Sequence, residues 1–202
     1  MKNLSLIAFL IIGIIVLKSF YEQDYAITNN LPKGETIVSF GDSLTFGTGA
    51  SKGMDYPAQL SVLIDETIIN KGKPGDTTLT ALSRLDTVLE HNPRIVLITL
   101  GGNDLKNGVK KKQAFRNLKV IIQRIQNTGA LVILGGIDIP FFGRDFVDAY
   151  EELAIETGSV LIPNILKDVM GNPKLMSDRI HPNDEGYAVM TQYFYSAIKS
   201  YL

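Results

Sequence analysis

The segment from Val38 to Gly47 reads VSFGDSLTFG, and the prediction of the fold starts from its apolar run and the turn that follows it. An apolar, β-like run ends at Phe40 and is followed at once by the turn Gly41-Asp42-Ser43. The sequence therefore predicts a serine hydroxyl at the C-terminal end of a strand, where open α/β sheets bind their ligands. Asp and Ser are also common helix caps, so simple capping of the next helix is the alternative interpretation.

Further short apolar or β-branched runs follow, and they alternate with stretches whose apolar residues lie three or four positions apart. This alternation predicts the α/β class: one parallel sheet with helices on both faces. In the flavodoxin-like strand order 2-1-3-4-5, the first and third strands are neighbours. The predicted strands are Thr36–Phe40, Thr67–Asn70, Ile95–Leu100, Leu131–Gly135 and Val160–Ile162.

The length and composition of the chain exclude several classes of function. A chain of 202 residues fits one domain. A net charge of -1 provides no basic face for nucleic acid, and the cluster Lys110–Lys112 is interpreted as a solvated helix start. The absence of cysteine excludes disulfides, thiol nucleophiles and cysteine-based metal sites.

The first 20 residues predict a signal peptide or a membrane anchor, and therefore export to the cell envelope, periplasmic or extracellular. The 14 residues 4–17 would span about 21 Å as a helix, less than the roughly 30 Å hydrocarbon core, which favours a cleaved signal. No small-x-small site follows, which favours a retained anchor and membrane association through residues 4–17. A buried or amphipathic first helix is the third interpretation. Residues 21–34 are expected to be a linker, and 35–202 the folded domain.

Two glycine-containing turns follow the second and third predicted strands. In the first, Pro74-Gly75 suits a type II turn, in which Gly75 takes a positive φ and its N–H can point at a ligand. The alternative is an ordinary connection in which Asp76 or Thr77 caps the next helix. In the second, Gly101 and Gly102 precede Asn103, whose amide is a donor. An Asx turn is the alternative there.

Asp178 and His181 form an Asp-x-x-His pair before the last predicted helix. Pro182 disfavours helical backbone at His181, so the pair is expected in a loop. A carboxylate can then bind Nδ1–H and leave Nε2 free to accept a proton. A solvated surface pair is the alternative. The other histidine, His91, is interpreted as a surface residue at a helix end.

These clusters supply the parts of a serine hydrolase. A serine hydroxyl needs a base, and the base needs an orienting acid. Ser43, His181 and Asp178 are the candidates for these three roles. The N–H groups of Ser43 and Gly75 and the amide of Asn103 are candidate donors for an oxyanion hole.

Four ordered blocks resemble those of the GDSL or SGNH hydrolases: Gly41–Leu44, Gly75 in Pro74–Thr77, Gly101–Asp104, and Asp178–Pro182. The sequence is most similar to the bacterial thioesterase, arylesterase and lysophospholipase branch. The resemblance implies a flavodoxin-like α/β/α sandwich and hydrolysis of acyl esters, lysolipids or thioesters through an acyl-enzyme. It also implies no metal or other cofactor, and it supports the roles assigned above.

The segment 136–143 is unusually apolar for a loop at this edge, so it is a candidate wall for an acyl chain. Phe46, Phe141 and Phe142 are candidate binding residues, with packing of the loop against the core as the alternative. Two other functions fit less well: a carbohydrate O-deacetylase or acyltransferase acting on envelope glycans, and a non-catalytic module that binds a nucleotide or anion.

Overall fold

The computed structural model describes residues 24–138 and 144–202. Their sheet has five parallel strands in the order β2-β1-β3-β4-β5, which confirms the predicted architecture. The strands are β1 (Thr36–Gly41), β2 (Ile68–Gly72), β3 (Pro93–Thr99), β4 (Leu131–Gly135) and β5 (Val160–Ile162).

Helices cover both faces of the sheet. The described helices are α1 (Ser43–Phe46), α2 (Tyr56–Ile64), α3 (Thr78–Ser83), α4 (Asp86–Leu89), α5 (Gly102–Lys106), α6 (Lys111–Gln126), α7 (Arg144–Thr157) and α8 (Asp184–Ile198). α2 packs against α8, where the rings of Tyr56 and Phe194 stack with centroids 4.4 Å apart. α6 packs against α3 and α7, and Phe115 makes edge contacts with Phe146 and Tyr150.

The central strands are buried on both sides, as parallel strands between helix layers must be. Every residue of β4 is buried, and so is all of β3 except Arg94. This dense apolar centre fixes the strand ends, so the loops that follow β1, β2 and β3 leave the same edge of the sheet at defined positions.

The bounds of β1, β2 and β3 each differ from the sequence prediction by one or two residues, and two of the differences from prediction have a physical reason. β3 starts two residues early, at Pro93, because the first residue of a strand tolerates a missing N–H. The apolar pattern from Leu79 to Leu89 forms two short helices, α3 and α4, since Arg84 leaves helical backbone with φ -113° and ψ 12°.

Residues 24–34, the described part of the expected linker, pack on the domain as a strap. Thr28 N donates to Gly158 O at 2.9 Å, and Lys33 N donates to Gly129 O at 2.9 Å. Asn29 Nδ2 donates to Gln126 O at 2.8 Å and to Ala130 O at 2.9 Å. The strap thus crosses the N-terminal ends of β4 and β5, and the predicted boundary at residue 35 leaves out a segment that packs on the fold.

The predicted signal or anchor, residues 1–20, lies outside the described residues. Within residues 24–138 and 144–202, no helix has the length and apolar character needed to cross a membrane.

Candidate active site

Ser43 lies where β1 turns into α1. Asp42 caps this helix, since its Oδ1 accepts a hydrogen bond from Leu44 N at 3.0 Å. The capping interpretation is therefore correct for Asp42, and capping places Ser43 at the first helical position. Gly41 is needed just before it, because a Cβ there would collide with the hydroxyls of Thr45 and Thr99.

His181 reaches Ser43 from the loop between β5 and α8. Its Nε2 lies 3.1 Å from Ser43 Oγ, although the two residues are 138 positions apart. On the other side of the ring, Nδ1 lies 2.7 Å from Asp178 Oδ2. A proton on Nδ1 leaves Nε2 as the acceptor for the serine hydroxyl, so this line of three groups is able to move a proton away from Oγ.

Asp178 is held in place by its own loop as well as by the imidazole. Its Oδ1 accepts hydrogen bonds from Ile180 N at 2.8 Å and from His181 N at 2.7 Å. The bond with His181 and these two backbone bonds lower the pKa of Asp178 to about 2. Although its side chain is 52% exposed, Asp178 is therefore ionised throughout the neutral range.

Gly75 has the left-handed backbone predicted for it, with φ +84°. The turn is closed by Asp76 N donating to Lys73 O at 3.1 Å. Thr77 caps α3 in a capping box with Thr80, so the capping interpretation is also correct for this loop. Nothing lies within 4 Å of the position where a Cβ would stand, so this side of Gly75 is open.

Asn103, in the first turn of α5, joins two other segments of the site. Its Nδ2 donates to Asp76 O at 2.9 Å and to Asp42 Oδ2 at 3.2 Å. Both amide hydrogens thus have partners when no substrate is present. The bond to Asp42 is the longer of the two.

Asp42 is a buried carboxyl group directly beside the nucleophile. Burial raises its pKa to about 7, and the neighbouring charges of Asp76 and Asp104 act in the same direction. The hydrogen bond from Leu44 N opposes this rise but is too weak to cancel it. At neutral pH this side chain is therefore divided between its neutral and ionised forms.

A cavity of about 300 Å³ opens beside Ser43, Asn103 and His181. Its apolar lining residues are Leu44, Leu105, Ile137, Leu166, Met170 and Ile180. Lys106 supplies the only lysine or arginine in the described lining. Such a site suits an apolar chain whose reactive end lies against a few polar groups.

Only one of the three aromatic candidates for this wall, Phe46, lies within the described residues. Phe46 is 55% exposed and does not line the cavity, because it lies at the end of α1 beside Gly72. Phe141 and Phe142 lie outside the described residues. Of the apolar segment 136–143, Ile137 does line the cavity.

Sequence reasoning missed five residues of this region. Leu105 and Lys106 line the cavity from the end of α5, just after Asn103. Leu166 and Met170 follow β5, and their four-residue spacing after a strand end is the signal that could have identified them. Arg84 bonds to Asp76 and to Gly41 O, and nothing in the sequence pattern indicates these contacts.

Comparisons with known proteins agree with this geometry. The model of the GDSL-like lipase/acylhydrolase family matches residues 39–189. The chain is 33% identical over 166 residues to thioesterase 1/protease 1/lysophospholipase L1 of Escherichia coli K12, covering 78% of this chain and 80% of that protein. It is 34% identical over 163 residues to an arylesterase of Vibrio mimicus, covering 75% and 82%. The crystal structure of TesA superimposes with a TM-score of 0.79 at 28% identity, covering 83% of this chain and 100% of the other.

Proposed function

The chain belongs to the GDSL-like lipase/acylhydrolase family and is a carboxylic ester hydrolase that acts on acyl esters or thioesters, and from that premise we propose the roles of its residues. Ser43 is the nucleophile, His181 the general base and Asp178 the residue that orients and stabilises the imidazole. The observation that carries this proposal is the contact of 3.1 Å between His181 Nε2 and Ser43 Oγ.

In the acylation step, Ser43 Oγ attacks the carbonyl carbon while its proton passes to His181 Nε2. The carbonyl electron pair moves onto oxygen and then returns, which breaks the bond to the alcohol or thiol. That leaving group takes the proton from His181, and the acyl group remains on Ser43. Water then attacks the acyl carbon while His181 Nε2 accepts its proton, the bond from that carbon to Ser43 Oγ breaks to release the carboxylic acid, and His181 returns the proton to Ser43 Oγ.

The oxyanion formed in both steps needs donors that are in place beforehand. We assign this role to the N–H groups of Ser43 and Gly75 and to the amide of Asn103. Among the described residues, the N–H of Gly75 has no protein acceptor, which supports its assignment. For Asn103 the role requires its longer bond, to Asp42, to be exchanged for one to the substrate oxygen.

We place the acyl chain in the apolar cavity and the leaving group near Lys106. Lys106 is exposed, and the described residues give it no ion-pair partner. Its charge is thus available to an anionic leaving group, such as the phosphate of a lysophospholipid. This supports amphiphilic acyl esters as substrates.

The test of the nucleophile is labelling with a fluorophosphonate, read by mass spectrometry of the intact protein and of its peptides. We expect one adduct per chain on Ser43, and none in Ser43→Ala. In parallel, p-nitrophenyl butyrate and decanoate should be hydrolysed by the wild type, with loss of activity in Ser43→Ala. A folded wild-type protein that forms no adduct and cleaves no acyl ester would refute the proposal.

The substrate class is tested with a lysophosphatidic acid and a monoacylglycerol that carry the same acyl chain. Lys106→Glu should lower kcat/KM for the phosphate-containing ester more than for the neutral one. Equal loss on both esters would exclude Lys106 as a headgroup contact. Turnover restricted to acetyl esters would instead favour the carbohydrate deacetylase.

We also propose that the protein is exported, on the strength of the apolar run 4–17. Fractionation of cells that express the full chain tests this. Recovery of the folded enzyme in the cytosol, at full mass, would contradict it.

A further inference from the structure

We propose that Arg84 is a positioning residue that holds the segments of the oxyanion hole in register. The proposal rests on the oxyanion-hole assignment made above. It concerns a residue that lies outside the four sequence blocks and does not line the cavity. Arg84 would act on catalysis through the backbone segments that it joins, without touching the substrate.

Arg84 contacts the two segments that carry the backbone donors. Its Nε lies 2.5 Å from Asp76 Oδ2, and Asp76 directly follows Gly75. Its Nη2 donates to Gly41 O at 3.0 Å, two residues before Ser43. One planar guanidinium therefore joins the turn after β2 to the end of β1.

These contacts are well fixed. The Arg84 side chain is 18% exposed and that of Asp76 is 3% exposed, so water competes little for the ion pair. The guanidinium carbon also lies 4.6 Å from the centroid of the Phe40 ring, a distance that allows a cation–π interaction. The second oxygen of Asp76 is occupied as well, since Thr80 Oγ1 donates to Oδ1 at 3.0 Å.

The third donor, the amide of Asn103, also depends on Asp76. Asn103 Nδ2 donates to Asp76 O, so the position of the Asp76 backbone also sets that of the Asn103 amide. The backbone link between Lys73 N and Gly41 O, at 2.9 Å, supports the turn from its other end. Asp76 is therefore the residue on which the positions of the Gly75 N–H and the Asn103 amide both depend. Arg84 links Asp76 to the end of β1, and so to the remaining donor, the N–H of Ser43.

A shift of one segment against another would lengthen the bonds to the oxyanion. Such bonds matter most in the transition state, where the loss of one donor lowers kcat by about 10²- to 10³-fold. Substrate affinity depends mainly on the apolar cavity, which Arg84 does not line. We therefore expect Arg84 to affect kcat and to leave KM nearly unchanged.

Arg94 provides a matched control. Its Nη2 lies 2.5 Å from Glu66 Oε2 and its side chain is 19% exposed, nearly the values found for Arg84. It is the second residue of β3, however, so it lies at the end of the sheet opposite the site. Arg94→Met removes an ion pair of the same length without touching the oxyanion hole, although its partner Glu66 is 36% exposed and Asp76 is 3% exposed.

The experiment compares the wild type with Arg84→Met, Arg84→Lys and Arg94→Met, using p-nitrophenyl butyrate and thermal unfolding of each protein. We expect kcat to fall about 10-fold or more in Arg84→Met at similar KM. The kcat of Arg84→Lys should lie between those of Arg84→Met and the wild type. A lysine can pair with Asp76, but it lacks the second guanidinium nitrogen that donates to Gly41 O. Arg94→Met should keep the wild-type kcat.

Two results would overturn the proposal while leaving the catalytic assignment intact. One is an active wild type with unchanged kcat in whichever Arg84 variants fold. The other is equal loss of kcat in Arg84→Met and Arg94→Met, which would reduce the role of Arg84 to general stability. A wild type that turns over no acyl ester would instead refute the proposed function itself.

Discussion

Asp42 combines two functions at one position, since it caps α1 through Leu44 N and accepts a bond from Asn103. Its burial raises the pKa in the folded protein to about 7, above the value of 3.8 in an unfolded chain. Between these two values the folded state binds more protons than the unfolded state. The contribution of Asp42 to stability is therefore full below about pH 4 and is lost as the pH rises toward 7.

We predict that Asp42→Asn removes this pH dependence, because an amide does not titrate. The free energy of unfolding of the wild type, measured in urea, should fall between pH 5 and pH 8 by on the order of 2 kcal/mol more than that of the variant. Comparing the two slopes cancels the other titrating groups and any constant cost of the substitution. Parallel slopes would show that Asp42 titrates normally in the fold.

Asp178 has the opposite behaviour, since its pKa is lowered to about 2 by the bonds to His181 and to its own loop. Its stabilising contribution is present above about pH 4 and is lost as the pH falls toward 2. Asp178 therefore stays ionised between pH 7 and pH 5, so loss of activity over that range requires protonation of another group beside Ser43, and Asp42→Asn separates the contribution of Asp42 from that of the base. A pH–rate profile that is flat over this range would contradict His181 as the base.

Replacing Asp178 by Asn tests the orientation of the imidazole. An amide nitrogen facing Nδ1 would favour the tautomer with its proton on Nε2, which cannot accept from Ser43. We expect kcat to fall between about 10²- and 10⁴-fold, with KM little changed. Asp86→Asn, at a 73% exposed surface ion pair, is the control and should keep full activity.

At the level of elements, Asp104 connects three helices by buried hydrogen bonds. Its two oxygens accept from Thr78 N at 2.8 Å and from Thr78 Oγ1 at 2.7 Å, and Asn117 Nδ2 donates to the same hydroxyl at 3.1 Å. Asp104 lies in α5, Thr78 begins α3 and Asn117 is in α6. This network fixes the helix that carries Asn103 relative to the loop that carries Gly75.

We predict that Asp104→Ala lowers the free energy of unfolding by about 2–4 kcal/mol, because it leaves two buried donors of Thr78 without an acceptor. Asp104→Asn should lose less, since an amide oxygen can still accept one of the two bonds. Urea titration of both variants measures the difference. Equal stability of Asp104→Ala and the wild type would mean that Thr78 finds other partners.

The elements also show where prediction from sequence ends. Strands β4 and β5 are predicted to the residue, because short apolar runs between polar turns define buried parallel strands clearly. The break between α3 and α4 is not predicted, because the apolar spacing from Leu79 to Leu89 continues through it. That break occurs at Arg84, whose side chain bonds to partners 8 and 43 positions away. Local pattern carries no information about such contacts.

For the whole molecule, the predicted strand order brings Ser43, Gly75 and Asn103 to one edge, because parallel strands end together. The contact of His181 with Ser43 follows from chemistry as much as from topology, since a serine nucleophile requires a base. The cavity wall was harder to predict: Leu166 and Met170 come from the loop after β5, and Phe46 points elsewhere. Which apolar side chains face a cavity depends on loop paths that a strand pattern does not define.

The strap, residues 24–34, lies at the N-terminal ends of β4 and β5, away from the end of the sheet that carries Ser43. Asn29 adopts φ +57° and donates two hydrogen bonds to the backbone near the start of β4. Asn29→Ala removes both bonds and the side chain that tolerates this backbone, so we expect a loss of about 1–3 kcal/mol in unfolding free energy. The values of kcat and KM should stay the same, because no group proposed for catalysis contacts the strap. Asn127→Ala, at an exposed helix end, should change neither property. A reduced kcat in folded Asn29→Ala, measured well below its unfolding temperature, would show instead that the two edges of the sheet are coupled.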